Sequence, residues 1–333
     1  MGYEADRYSL VADVGGTNTR CALAEGRKVL PETVRRYSNA EFNDRGQGLD
    51  KVLETYIGDM GNVDCSGAAA AIAGPVRDGA GELTNLAWSI DRKTLTRVAR
   101  AERVEVLNDL QAQGYALDDL APGTIRAVLT GSPAPAGAAK LVIGAGTGFN
   151  AAPVFDAPGG RIVPPAETGH VSLPIRGEED VRLMRYLESE VPIAHGFASV
   201  EEVLSGRGLE HVYGWLSLEA GAPERKSARE IMAGLASGDD PLAEATARVY
   251  VRMLGNVAGN LALSLLPYGG IYFIGGVVRS MQPYLERFGF ADAFCDKGRF
   301  AEFLTQFPVS VVEDDFAALT GCAVFLAALA EAG

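Results

Sequence analysis

The chain has 333 residues, 47% of them hydrophobic and 22% charged, with a formal net charge of −13. That length favours two domains with ordinary cores, and the acidity argues against a nucleic-acid partner, which would want a basic face. No apolar run reaches the ~20 residues of a membrane span and no basic-then-apolar leader is visible, so a cytoplasmic protein with no membrane partner is expected.

Residues 8–14, 20–24 and 33–38 read as the strands of an opening meander. The first turn is glycine-rich, Asp13-Val14-Gly15-Gly16-Thr17-Asn18. Leu49, Val52, Leu53 and Ile57 recur at helical spacing and predict a helix over 46–57. Residues 67–74 read as a buried small-residue strand, 94–103 as a helix, and 104–107 as a strand ending at Asn108-Asp109. The order β-β-β-α-β-α-β follows for the first domain. Residues 122–139, rich in Pro, Gly and Ala, are expected to be a linker.

Beyond that linker the opening pattern returns as Leu141-Val142-Ile143-Gly144-Ala145-Gly146-Thr147-Gly148-Phe149-Asn150. Helices are predicted over 178–190, 200–204 and 240–266, with Ser205-Gly206-Arg207-Gly208 as a helix terminator. A strand over 271–274 ends at Gly275-Gly276, and another occupies 308–312. The apolar helix 316–332 is expected to pack back on the first domain. The predicted division is a small α/β domain over 1–112, completed by 316–333, and a large α/β domain over 113–315. Cys21, Cys65, Cys295 and Cys322 are scattered with no C-x-x-C pair, which predicts buried thiols and neither a zinc site nor a disulfide framework.

Two glycine hairpins suggest two related halves that each offer a phosphate-binding loop. Glycine removes the Cβ that would keep an anion from the backbone N–H groups, and threonine adds a hydroxyl donor. Only the first copy carries an acid. Asp13 can orient water on a Mg²⁺ that bridges nucleotide phosphates, or it can cap the turn. Asn108-Asp109 stands where strand ends of open α/β sheets face a ligand, so Asp109 can accept a proton from a substrate hydroxyl; a helix amino cap is the alternative. Glu167 and His170, in a Pro/Gly-bordered loop, can share vicinal sugar hydroxyls, against a metal site lacking a third ligand or a solvated loop. For Glu201 the plain alternative is an exposed helix charge.

Taken together, these segments resemble bacterial glucokinases of the hexokinase/actin-like ATPase superfamily. The matching pieces run in order: Asp13 to Arg20, Thr84-Asn85-Leu86-Ala87-Trp88, Asn108-Asp109, Gly144 to Gly148, Glu167-Thr168-Gly169-His170, Glu201 to Leu209, Gly259 to Leu263, Gly275-Gly276-Val277-Val278, and Phe294 with Asp296 to Phe300. The chain lacks the cysteine-rich zinc motif of the related repressor/kinase group, which points to the zinc-free branch.

The resemblance implies two ribonuclease H-like domains with an interdomain cleft and ATP-dependent phosphorylation of glucose to glucose 6-phosphate. It makes Asp109 the base, with Asn85, Asn108, Glu167, His170 and Glu201 on the sugar. ATP and Mg²⁺ fall to Asp13, Gly15, Gly16, Thr17, Asn18, Gly146, Thr147, Gly148, Gly275 and Gly276, and a homodimer is implied. Thr168 stands where the family usually has glycine, and Phe149-Asn150 where it often has a small residue. A kinase for another hexose and a non-catalytic sugar-binding regulator are the rival readings.

Overall fold

The computed structural model describes residues 4–83, 86–121 and 123–332. They divide into two compact units: Met1–Pro122, Pro158–Pro165 and Asp314–Gly333 in the first, Gly123–Ala157 and Ala166–Glu313 in the second.

In the first unit the strands are β1 (Ser9–Val14), β2 (Asn18–Glu25), β3 (Lys28–Val29), β4 (Arg35–Ser38) and β5 (Gly67–Ile72). Next come β6 (Val76–Arg77), β7 (Ala80–Glu82), β8 (Ser89–Asp91) and β9 (Arg103–Asn108), with β13 (Gly160–Ile162) in the segment Pro158–Pro165. The helices are α1 (Asn39–Asn43), α2 (Leu49–Asp59), α3 (Arg92–Ala99), α4 (Asp109–Ala116) and the C-terminal α13 (Ala317–Ala332).

The main sheet runs β3-β2-β1-β5-β9 with β4 also on β2, while β6-β7-β8 form a separate small sheet. Its two faces follow from the period of two along a strand. Leu10, Ala12, Val14, Ala68, Ala70 and Ile72 pack with α2 and α3. Val11, Ala69 and Ala71 pack with Leu319, Cys322, Ala323 and Leu326 of α13. Alanines on that second face leave room for the helix to sit close.

The second unit holds β10 (Ile125–Leu129), β11 (Lys140–Ala145), β12 (Phe149–Ala157), β14 (Ile271–Ile274) and β15 (Val309–Val312). Its helices are α5 (Glu178–Glu190), α6 (Glu201–Leu204), α7 (Gly206–Glu219), α8 (Ala228–Ser237), α9 (Pro241–Leu265), α10 (Gly276–Leu285), α11 (Phe290–Cys295) and α12 (Ala301–Leu304). The strands run β10-β15-β14-β11-β12.

The sequence repeat is a topological repeat. The order β2-β1-β5-β9 in one unit and β12-β11-β14-β15 in the other shares one antiparallel step followed by two parallel steps. Both leading strands, β1 and β11, also show the same burial alternation.

Several expectations are corrected. The linker over 122–139 contains β10, which pairs antiparallel with β15; a partner edge supplies a ladder that Pro/Gly composition does not reveal. The helix predicted over 94–103 spans Arg92–Ala99 and stops at Arg100, which takes the left-handed conformation. Ser205-Gly206-Arg207-Gly208 starts a helix as well as ending one. The Ser205 hydroxyl accepts the Gly208 N–H at 3.0 Å and caps α7, which composition had hidden, as it had α8 and the small sheet β6-β7-β8.

Candidate active site

In the first unit, Val14 at the end of β1 is in register with Ile72 of β5, and Ile72 with Asn108 of β9. The glycine turn and Asp109 therefore leave the same edge of the sheet, at the carboxyl ends of parallel strands, where open α/β sheets take ligands. The turn closes through the Gly15 N–H, which donates to the Asn18 carbonyl at 3.0 Å. Thr17 at its tip is exposed.

A residue absent from the sequence reading holds this turn. Asn39 is 1% exposed; its amide donates to the Thr17 carbonyl at 3.0 Å, its Nδ2 to the Gly15 carbonyl at 2.8 Å, and its Oδ1 accepts the Thr19 hydroxyl at 2.8 Å. The one available signal was an asparagine directly after a strand.

Asp13 faces Arg20 across the β1/β2 pair, Arg20 Nη1 lying 3.3 Å from Asp13 Oδ2. Burial pushes the Asp13 carboxyl up, and the Arg20 guanidinium opposes that. Among the described residues no cluster of three His, Cys, Asp or Glu is arranged for a metal. A single carboxylate suits Mg²⁺, which keeps most of its shell as water and phosphate oxygens.

The helix-cap reading of Asn108-Asp109 is met by Asn108, and Asp109 follows it at the start of α4. Asn108 caps α4: its Oδ1 accepts the Leu110 N–H at 3.0 Å, Gln111 Oε1 accepts the Asn108 N–H at 3.1 Å, and Asn108 Nδ2 donates to the Gly74 carbonyl at 3.1 Å. Asp109 is the first residue of the helix, its Oδ1 accepting the Leu110 N–H at 2.9 Å. A carboxylate in that place is favoured by the helix dipole. Asn85 lies outside the described residues.

In the second unit the turn Gly146-Thr147-Gly148 closes one residue sooner, the Gly146 N–H donating to the Gly148 carbonyl at 2.9 Å. The start of α7 braces it, since the Gly206 N–H donates to the Gly146 carbonyl at 2.8 Å. Gly275 adopts φ +117° and a Cβ there would lie 2.4 Å from the Ala145 carbonyl oxygen, so only glycine lets β14 turn into α10 at this point. The sequence-predicted Gly146 to Gly148 and Gly275-Gly276 are thus neighbours at one sheet edge.

Glu201 reaches the same turn. Its Oε2 accepts the Phe149 N–H at 2.9 Å and its Oε1 lies 3.2 Å from Arg207 Nη2. Arg207, also missed from sequence, is shared with the buried Glu202, at 3.2 Å, and Glu202 in turn lies 3.1 Å from His211 Nδ1.

Glu167 and His170 sit on one short 3-10 turn, both exposed. Gly169 between them passes beneath β12, where a Cβ would lie 2.0 Å from the Phe149 carbonyl oxygen. Asn150, beside Phe149, bonds to this loop through both ends of its amide.

The family model for glucokinase matches residues 10–329. The glucokinase of Neisseria meningitidis serogroup B is 32% identical over 318 residues, 95% of this chain and 94% of that protein. That of Saccharophagus degradans is 29% identical over 321 residues, 95% of this chain and 97% of that protein. Among solved structures, a glucokinase from an Antarctic psychrotroph superposes with TM-score 0.82 at 30% identity, covering 96% of this chain and 98% of that one. A hexokinase of the repressor/kinase group from Thermus thermophilus shares the fold, with TM-score 0.65 at 20% identity.

Proposed function

The chain belongs to the glucokinase family and phosphorylates D-glucose with ATP; we propose that Asp109 is the base that takes the proton of the attacking 6-hydroxyl. One observation carries this reading: Asp109 opens α4 at the carboxyl end of β9, on the same sheet edge as the first glycine turn. The transfer is direct. The bond from O6 to the γ-phosphorus forms, the bond from that phosphorus to the bridging oxygen breaks, ADP leaves, and the hydroxyl proton passes to the Asp109 carboxylate.

In this reading Gly15, Gly16, Thr17 and Asn18 meet the transferred phosphoryl group with amides and a hydroxyl, and Gly146, Thr147 and Gly148 hold the remaining phosphates. Gly275-Gly276 lies near the adenosine. Asp13 would hold Mg²⁺ through water, an ion that neutralises phosphate charge when bound. Asn108, Glu167, His170 and Glu201 take the sugar hydroxyls, and Asn108 and Glu201 do so with the valences that their backbone bonds leave over.

A coupled ATP-turnover assay on the wild type and Asp109→Asn tests the assignment. The variant should keep its fold and lose about 10²–10⁴ in kcat; near-normal turnover by a folded Asp109→Asn would overturn it. The same reading includes a cytoplasmic homodimer with no zinc requirement, which light scattering and metal analysis address.

A further inference from the structure

Asn150, at the start of β12, and Thr168, on the 3-10 turn, are bonded to each other. Asn150 Oδ1 accepts the Thr168 N–H at 2.9 Å, the Thr168 hydroxyl at 2.9 Å and the Ala151 N–H at 2.8 Å. On the other side, Asn150 Nδ2 donates to the Ala166 carbonyl at 2.5 Å and to Glu167 Oε2 at 3.4 Å. The partners fix the orientation of the amide. Backbone N–H groups can only donate, so the atom facing Thr168 and Ala151 is the oxygen, and the atom facing a carbonyl and a carboxylate is the nitrogen.

Asn150 is the second residue of β12, directly after Phe149, whose N–H is held by Glu201. Thr168 opens the 3-10 turn that carries His170, and Glu167 precedes it. The backbone of that turn contributes one bond of its own, from the His170 N–H to the Glu167 carbonyl at 3.2 Å. Its attachment to β12 therefore falls mainly on the Asn150 side chain, which touches Ala166, Glu167 and Thr168 in succession, with a longer bond of 3.5 Å from the Thr168 hydroxyl to the Ala151 carbonyl beside it.

We propose that Asn150 and Thr168 form a clamp that positions Glu167 for the sugar by pinning the loop 166–170 to the strand leaving the second glycine turn. Both are positioning residues, and the proposal rests on Glu167 being a sugar ligand. Asparagine suits the task because one side chain offers acceptor and donor on opposite sides. Glycine at both positions would leave the loop tied by backbone contacts alone. Aspartate at 150 would keep the acceptor for Thr168 but turn a carboxylate oxygen toward Glu167 Oε2 and the Ala166 carbonyl, where both neighbours repel it.

Steady-state kinetics on the full chain test the clamp, with Glu167→Ala measured first. Glu167→Ala should raise the glucose KM and leave the ATP KM unchanged; if it does not, the sugar role of Glu167 fails, and the clamp with it. Given that result, Asn150→Ala should raise the glucose KM about tenfold or more, and Thr168→Val about fivefold, on the scale of one or two lost hydrogen bonds. Thr168→Ser should restore the wild-type value. Asn150→Ala/Thr168→Val should be only slightly worse than Asn150→Ala alone, because the hydroxyl, having lost Asn150, keeps only the long 3.5 Å bond to the Ala151 carbonyl.

A glucose KM within twofold of wild type in Thr168→Val or Asn150→Ala, beside an impaired Glu167→Ala, overturns the clamp. So does an equal rise in glucose and ATP KM, which is what general loosening of the unit would produce. Thr168→Val leaves Asn150 and the backbone bonds in place, so it carries the test if Asn150→Ala does not fold.

Discussion

The Glu201 carboxylate accepts the Phe149 amide at 2.9 Å across 52 residues of sequence, so the first residue of α6 closes the strand that leaves the second glycine turn. Its other oxygen is 3.2 Å from Arg207, which anchors the pair on α7. Held in this way, the proposed sugar ligand Glu201 has a structural role as well. Glu201→Ala should cost about 1–3 kcal/mol of stability and raise the glucose KM, because it orphans an amide and leaves Arg207 with Glu202 alone. Glu201→Gln keeps an acceptor for the amide and should cost less. Thermal denaturation separates the two, and equal melting temperatures in wild type and Glu201→Ala would contradict the bracing role.

Asn39 props the first glycine turn from beneath. Asn39→Ala strands the Gly15 carbonyl and the buried Thr19 hydroxyl, and should lower stability by about 1–3 kcal/mol. Because the turn is the proposed seat of the transferred phosphoryl group, the ATP KM should rise with the glucose KM nearly unchanged. Asn39→Asp should be worse than Asn39→Ala, since it points an oxygen at the Gly15 carbonyl. Kinetics in both substrates with a melting curve would check all three.

Part of the acid sensitivity should trace to Glu202, the most buried of the carboxyls held below their ordinary range. Burial works against its carboxylate, yet His211 and Arg207 beside it hold the group below the usual glutamate range. A carboxyl lowered on folding adds stability above its unfolded value, about 4.3 for glutamate, and loses it as pH falls through the folded one. Urea midpoints should therefore drop between about pH 5 and pH 3, and Glu202→Gln should flatten that limb while lowering the midpoint at pH 7. Parallel curves for the two proteins would assign the acid limb elsewhere.

Gly169 lets the loop 166–170 pass under β12. A methyl group there would sit 2.0 Å from the Phe149 carbonyl oxygen, a backbone atom with no rotamer to yield. Gly169→Ala should thus displace residues 167–170, destabilise the fold by more than the ~1 kcal/mol typical of substitutions, and weaken glucose binding. A wild-type melting temperature would show that the loop has room to move.

What the sequence determined by itself was whatever depends on neighbours along the chain. The repeated glycine hairpin, the small-residue strand at Gly67–Ile72, the long helix at Pro241–Leu265 and the place of Asp109 after a strand were all legible from periodicity and turn chemistry. The family pattern added the substrate. Tertiary structure decided the rest. The ladder of β10 exists because β15 offers an edge, and Ser205 caps α7 in a stretch whose composition also suits a helix end. The bonds of Asn39 to Gly15, Glu201 to Phe149 and Asn150 to Thr168 each join residues 18 to 52 positions apart. Local propensity carries no information about such distant pairs; strand register and close packing bring them together, and that is where the site acquires its braces.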